Sequence, residues 1–339
     1  KENQTMTKVG IIANPASGRD IRRLVAHGSV FDNAEKVNIV RRILLALNSL
    51  EIDEVMIMPD SFGIGKAAVD GIWGEEEENF NLDVNILDLR INSSAQDSYR
   101  SAQMMEEKDV DCIIILGGDG TSRVVVKALE ETPILALSTG TNNVFPLMIE
   151  GTCAGMAAGA FTKLNADEQK QASNPFKLLK VYINGQEEDI ALIDAVVVKK
   201  SYIGTRALWD PEALEEIFTT RRKSGDIGMA SIAGALTDIH LDNETGLFIQ
   251  TGEEGKSIMA PIAPGMIKEI KVEKYRKIEA GERIELEAKK RILAFDGERE
   301  LTVKADDKVE IELTTAPVRF IDYRKTLELA GENGYYCDI

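Results

Sequence analysis

Residues 112–116, Cys-Ile-Ile-Ile-Leu, run without a break into Gly117-Gly118-Asp119-Gly120-Thr121. An apolar run this short suits a strand buried on both faces. A glycine-rich turn that then opens a helix is the βα corner of an open parallel sheet, where such sheets bind their ligands. Further strand signals lie at 8–13, 54–58, 82–86 and 134–137. Between them stand helix signals at 34–50, 65–73, 94–107 and from Thr121 to Glu130, with Asp32 and Glu35 resembling a capping pair. Strands alternating with helices imply a parallel sheet with right-handed crossovers.

After about residue 170 the pattern changes. Residues 166–174 are polar and read as a linker. Strand signals then dominate: 178–183 and 190–198 flank the hairpin turn Asn184-Gly185, and alternation returns at 284–288 and 309–313. Asp210 with Pro211 predicts one intervening helix. The expected architecture is an α/β domain with a parallel sheet over 8–165, a β-rich sandwich domain over 175–322 and a C-terminal tail over 323–339. A length of 339 residues suits about two domains.

Composition narrows the function classes. Asp and Glu outnumber Lys and Arg 57 to 40, a formal net charge of −17. An acidic surface repels phosphodiester backbones and anionic lipid, so neither nucleic acid nor membrane is an expected partner. No apolar run is long enough for a membrane span, and the first residues lack a secretory h-region; Met6 reads as a natural start. Cys112, Cys153 and Cys337 form no CxxC, and His27 and His240 are the only histidines. A His/Cys zinc centre and a Ser-His-Asp triad are therefore not expected, and a reducing cytoplasm is the expected compartment.

The chemistry concentrates in three loops, each after a strand. The glycines Gly117, Gly118 and Gly120 let backbone amides approach an anion, and the helix that follows adds its positive end. Asp119 repels phosphate, so its place in such a loop suits a metal ligand or a base for an attacking hydroxyl; a plain helix cap is the structural alternative. The companions are Asn14-Pro15-Ala16-Ser17-Gly18 and Ser138-Thr139-Gly140-Thr141-Asn142-Asn143. Three such loops at the ends of strands of one sheet suit a nucleoside triphosphate with its metal.

These motifs, in this order and ahead of a β-rich half, resemble the superfamily of NAD kinases, diacylglycerol kinases and sphingosine kinases. Within it, the stretches through Gly18 and through Thr141-Asn142-Asn143-Val144-Phe145-Pro146 resemble the acetoin-catabolism protein X branch of ATP-NAD kinase-like proteins. The likeness runs over about residues 8–322. It implies phosphoryl transfer from ATP, with Mg²⁺, to a hydroxyl of NAD or a related small molecule, in a homodimer or homotetramer. Asp119 would be catalytic. Asn14, Ser17, Gly18, Gly117, Gly118, Gly120, Thr121, Thr139, Gly140 and Thr141 would bind the nucleotide phosphates. Asn142, Asn143, Asp194, Gly225, Asp226, Asp296 and Glu298 would bind the acceptor. Where the NAD kinases carry an Asn-Glu pair, a tyrosine and a histidine, this chain has Ile193-Asp194, Met229 and Gly265. The donor side thus reads as retained and the acceptor side as rebuilt, with NAD expected to be a poor acceptor. A lipid kinase and a non-catalytic nucleotide-binding regulator stand as alternatives.

Overall fold

A computed structural model describes residues 6–17, 31–73, 79–140, 143–198, 211–297 and 299–336. Five parallel strands open the fold: β1 (Lys8–Ala13), β2 (Glu54–Ile57), β3 (Asp83–Ile86), β4 (Cys112–Gly117) and β5 (Ile134–Ser138). They lie in the order β3-β2-β1-β4-β5. Helices α1 (Asn33–Ser49), α2 (Ile64–Trp73), α3 (Ala95–Glu107) and α4 (Asp119–Val126) connect them. β4 is buried along its whole length, as its unbroken apolar run requires. Asp32 caps α1 by accepting from the Glu35 amide, and Ser94 with Asp97 forms a capping box on α3.

The polar stretch read as a linker is ordered structure. After α5 (Gly151–Lys163) come α6 (Ala166–Gln171), closed by an Asn165/Glu168 capping box, and the start of β6 (Ser173–Ile183). Polarity misled because α6 buries none of its residues. β6 does not begin a separate sheet. It pairs with the long β15 (Val309–Ile321), which runs beside β5, so the parallel sheet continues into antiparallel strands through β7 (Gln186–Ala191), with β12 (Arg283–Glu285) also on β15.

A six-stranded antiparallel sheet packs against this extension. It contains β8 (Asp194–Val198), β9 (Leu214–Thr219), β10 (Thr245–Ala263), β11 (Met266–Glu279), β13 (Arg291–Phe295) and β14 (Arg299–Val303). Leu179, Val181, Val197, Leu293, Phe295 and Leu313 form the layer between the two sheets, which makes the expected sandwich. The helix expected after Asp210 is only one 3₁₀ turn, Pro211–Ala213, followed by β9. Ile217 and Phe218 are β-prone residues buried by pairing with both β8 and β10, and that tertiary pairing outweighs the capping signal. α7 (Ala230–Ala235) covers the far face of this sheet. The final helix, α8 (Tyr323–Glu332), is not a tail: Leu329 and Ala330 return to the first core and pack with α5. Among the described residues no helix is long and apolar enough to cross a membrane.

Candidate functional site

Strand order reverses between β1 and β4, so their loops leave in opposite directions and open a crevice at the strand ends. The β1 and β4 loops meet there. Asn14 N–H donates to the Leu116 carbonyl at 3.0 Å, and its Nδ2 donates to Thr121 Oγ1 at 2.8 Å. The β5 loop joins them: Thr139 N–H donates to Gly117 O at 3.1 Å, and its hydroxyl meets Ser17 Oγ at 2.8 Å. The three glycine and hydroxyl loops therefore form one locked surface. The lock uses the side chains themselves, since Thr121 and Thr139 are buried. The amides of Ala16, Ser17 and Thr139 are spent within the same surface.

The start of α4 differs. Gly118 is the N-cap of α4 and supplies no side-chain cap, so the first turn of the helix keeps donors for a ligand. Close packing explains the glycine. A Cβ on Gly118 would meet Asn143 Oδ1 at 2.8 Å, while Asn143 Nδ2 donates to Ser138 Oγ at 2.8 Å within the β5 loop.

Asp119 does not cap the helix. Its carboxylate accepts from the Val144 amide at 3.0 Å and the Phe145 amide at 2.7 Å, tying the β4 loop to the far end of the β5 loop. A residue that sequence reasoning missed completes the surface. Lys36 of α1 is fully buried, and its Nζ donates to the carbonyls of Asn14 at 2.9 Å and Ser17 at 2.7 Å. These bonds fix the path of the β1 loop, whose Ala16 and Ser17 amides are themselves spent on the Asn14 side chain and carbonyl. The available signal was a lysine on the buried stripe of α1, in line with Val40, Ile43 and Leu47.

The second half supplies a different set of residues. Asp296, expected at the acceptor, lies beneath the site instead. It is buried, accepts from the amides of Leu192, Ile193 and Asp194, and lies 3.6 Å from Arg123 Nε. Burial pushes its carboxyl above the usual range, against the pull of Arg123 and the amides. Its role is to hold the β7–β8 crossover onto α4, together with Asp189, which pairs with Arg123 at 3.2 Å. Asp194 is buried at the start of β8. Asp226 forms a two-pronged ion pair with Arg221, at 2.9 and 3.1 Å, and Arg221 also donates to Val144 O at 3.2 Å. Burial raises the Asp226 carboxyl even with Arg221 beside it. Gly225 is an exposed turn residue next to it. Gly18, Thr141, Asn142 and Glu298 lie outside the described residues.

Two of the three departures from the NAD-kinase pattern face elsewhere. Met229 is buried in the apolar layer between α7 and the six-stranded sheet. Gly265 sits in the β10–β11 turn with φ +72°, a conformation that selects glycine. Only Ile193 lines a cleft.

Two clefts flank the loops. One, of about 470 Å³, lies between Asn14–Ala16, the segment after β2 and the start of α3. The other, of about 420 Å³, lies between the halves, with Ile193 and Arg221–Lys223 on its walls. Its floor is aromatic: Phe145 meets Phe176 and Phe320 edge-on at 5.0 and 5.2 Å. Phe145 is the residue whose amide binds Asp119, so the second cleft begins where the glycine loops end.

Residues 9–168 match the profile of the ATP-NAD kinase N-terminal domain, and residues 177–316 match that of the acetoin catabolism protein X C-terminal domain. The chain is also 38% identical over 334 residues to the acetoin catabolism protein X of Cupriavidus necator, covering 96% of this chain and 92% of that protein. With that identity running along nearly the whole of both chains, this chain belongs to the acetoin catabolism protein X family, with an ATP-NAD kinase-like N-terminal domain.

Proposed function

We propose that this chain transfers a phosphoryl group from ATP to a hydroxyl of a small molecule held in the cleft between its halves. The observation that carries this reading is the uncapped start of α4 at the crevice, with the β1 and β5 loops locked around it. Backbone amides there suit the donor phosphates, and the cleft beside Asn14–Ala16 has room for the rest of a nucleotide. Among the described residues no group of three His, Cys, Asp or Glu side chains could hold a metal. Mg²⁺ would be carried in on the phosphates, where the ion would neutralise charge on the transferred group, with Asp119 the carboxylate that the glycine loop itself supplies. Two amides fix the Asp119 carboxylate at the glycine loop, where it orients the acceptor hydroxyl. Phosphoryl transfer of the loose kind asks mainly for positioning and charge neutralisation, which suits such a fixed carboxylate. The name of the Cupriavidus necator relative makes acetoin catabolism the pathway to test first, with small hydroxyketones as acceptors beside NAD.

The test is a calorimetric titration with ATP and Mg²⁺, followed by acceptor-dependent ATP consumption. Saturable ATP binding and turnover that disappears in Asp119→Asn are expected. A chain that binds no ATP would overturn the reading. One observation favours a second one, a nucleotide-binding regulator without turnover: the Asp119 carboxylate is already engaged by two amides. ATP binding with no consumption against any hydroxyl acceptor would select it.

A further inference from the structure

The cleft between the halves carries a charge opposite to that of the chain. In a protein of net charge −17, Lys177, Arg221, Arg222 and Lys223 line it, with Asp242 the one carboxylate among its described lining residues. Arg221 is committed to Asp226 and to the Val144 carbonyl. Lys177 is committed to the carbonyls of Asp242 and Thr245, each at 2.5 Å. Arg222 is held at the wall by its Nε, which donates to the Leu236 carbonyl, and its charge also acts on the exposed Asp238 carboxylate, which is bonded to Tyr275; the two terminal NH₂ groups of the fork are the donors it can turn to a ligand. Lys223 stands exposed beside it. Arg221 next to Lys223 holds that ammonium below the usual lysine range, and burial does the same to Lys177, as expected where cations crowd one space. An arginine fork beside an exposed ammonium, over an aromatic floor, is the arrangement that recognises an oxyanion on a compact ligand.

We propose that Arg222 and Lys223 form an anion seat in this cleft, so that the molecule bound there carries a phosphate or carboxylate in addition to its hydroxyl. That this molecule is the phosphoryl acceptor rests on the phosphotransfer reading; the seat itself does not. It also accounts for a rebuilt acceptor side: an apolar Ile193 beside a basic wall selects a small anion over the amide-bearing end of a dinucleotide.

The experiment is isothermal titration with inorganic phosphate, and separately with acetate, at constant ionic strength. The parent, Lys223→Gln, Arg222→Gln/Lys223→Gln and Gly118→Val are compared. The expected result is a phosphate site that weakens roughly tenfold in Lys223→Gln, disappears in the double variant and survives in Gly118→Val, whose change lies at the donor loops. Acetate binding at the same seat would assign a carboxylate ligand, and its failure beside phosphate a phosphorylated one. If the double variant does not fold, the exposed Lys223→Gln decides alone. Phosphate affinity unchanged in Lys223→Gln would overturn the seat. ATP binding and turnover are read separately. A seat without any phosphoryl transfer would leave this inference standing and remove the phosphotransfer reading.

Discussion

The two sides of the crevice are built on opposite plans. The donor-side surface comes from three short segments whose hydroxyl and amide side chains turn toward one another, as in Asn14 with Thr121 and Ser17 with Thr139. What this surface offers a ligand is the uncapped backbone start of α4. The cleft between the halves comes from Phe145, Phe176, Ile193, Arg222 and Phe320, which are scattered along the chain and line it with side chains. A backbone site tolerates few substitutions because its loops must touch, so it writes a motif. A side-chain site is retuned one residue at a time and leaves none. Specificity can therefore change in the second while the first stays fixed.

The largest effect that would break this contrast is at Asp119. Asp119→Asn is expected to lower turnover by about a thousandfold or more, by analogy with loss of one positioned charge in a transition state. Because one carboxylate oxygen is lost to the Val144 and Phe145 amides, it should also cost about 1–3 kcal/mol of stability. Turnover within threefold of the parent would mean that the carboxylate only pins the β5 loop. Gly118→Val comes next. Its branched side chain must displace Asn143, and ATP affinity should fall by about a hundredfold, measured by calorimetry, with the anion seat untouched.

Lys36→Met tests whether the inward carbonyls matter. Leaving the Asn14 and Ser17 carbonyls without this donor should cost about 1–3 kcal/mol in denaturant unfolding and weaken ATP binding, without changing affinity for phosphate in the other cleft. The NAD-kinase departures sharpen the comparison further. Gly265→His should destabilise by about 1–2 kcal/mol through its positive φ and leave acceptor preference unchanged, whereas Ile193→Asn should alter acceptor preference. Steady-state kinetics with NAD separates them, and equal effects on NAD turnover would show that the cleft assignment is wrong.

The smallest effect lies away from both sides. Glu106 accepts from the amides of Glu130, Glu131 and Thr132, and these bonds outweigh its partial burial to hold its carboxyl below the usual range. Its folded pKa is thus below its unfolded one. The stability it adds is complete above the ordinary glutamate range and is lost as pH falls through the lowered folded value. Glu106→Ala should cost about 1 kcal/mol at neutral pH and progressively less in acid, seen as converging melting curves. A difference that persists at the lowest pH would show that packing, and not the charge, is responsible.

Local order was legible in the sequence wherever a short stretch decides its own conformation. The buried β4, the Asp32 cap of α1, the hairpin at Asn184-Gly185 and the three loops at strand ends are of this kind, since each depends on neighbours a few residues away. Tertiary structure alone decided that β6 and β15 extend the first sheet, that residues 214–219 become a strand, and that α8 returns to α5. It also decided that Asp296 and Met229 are buried supports and that Lys36 stands behind the β1 loop. In each of these cases the partner lies far away in the chain. A hydrogen bond or a buried face between distant segments has no local periodicity, so only the folded chain determines whether a polar residue meets a ligand or a backbone amide.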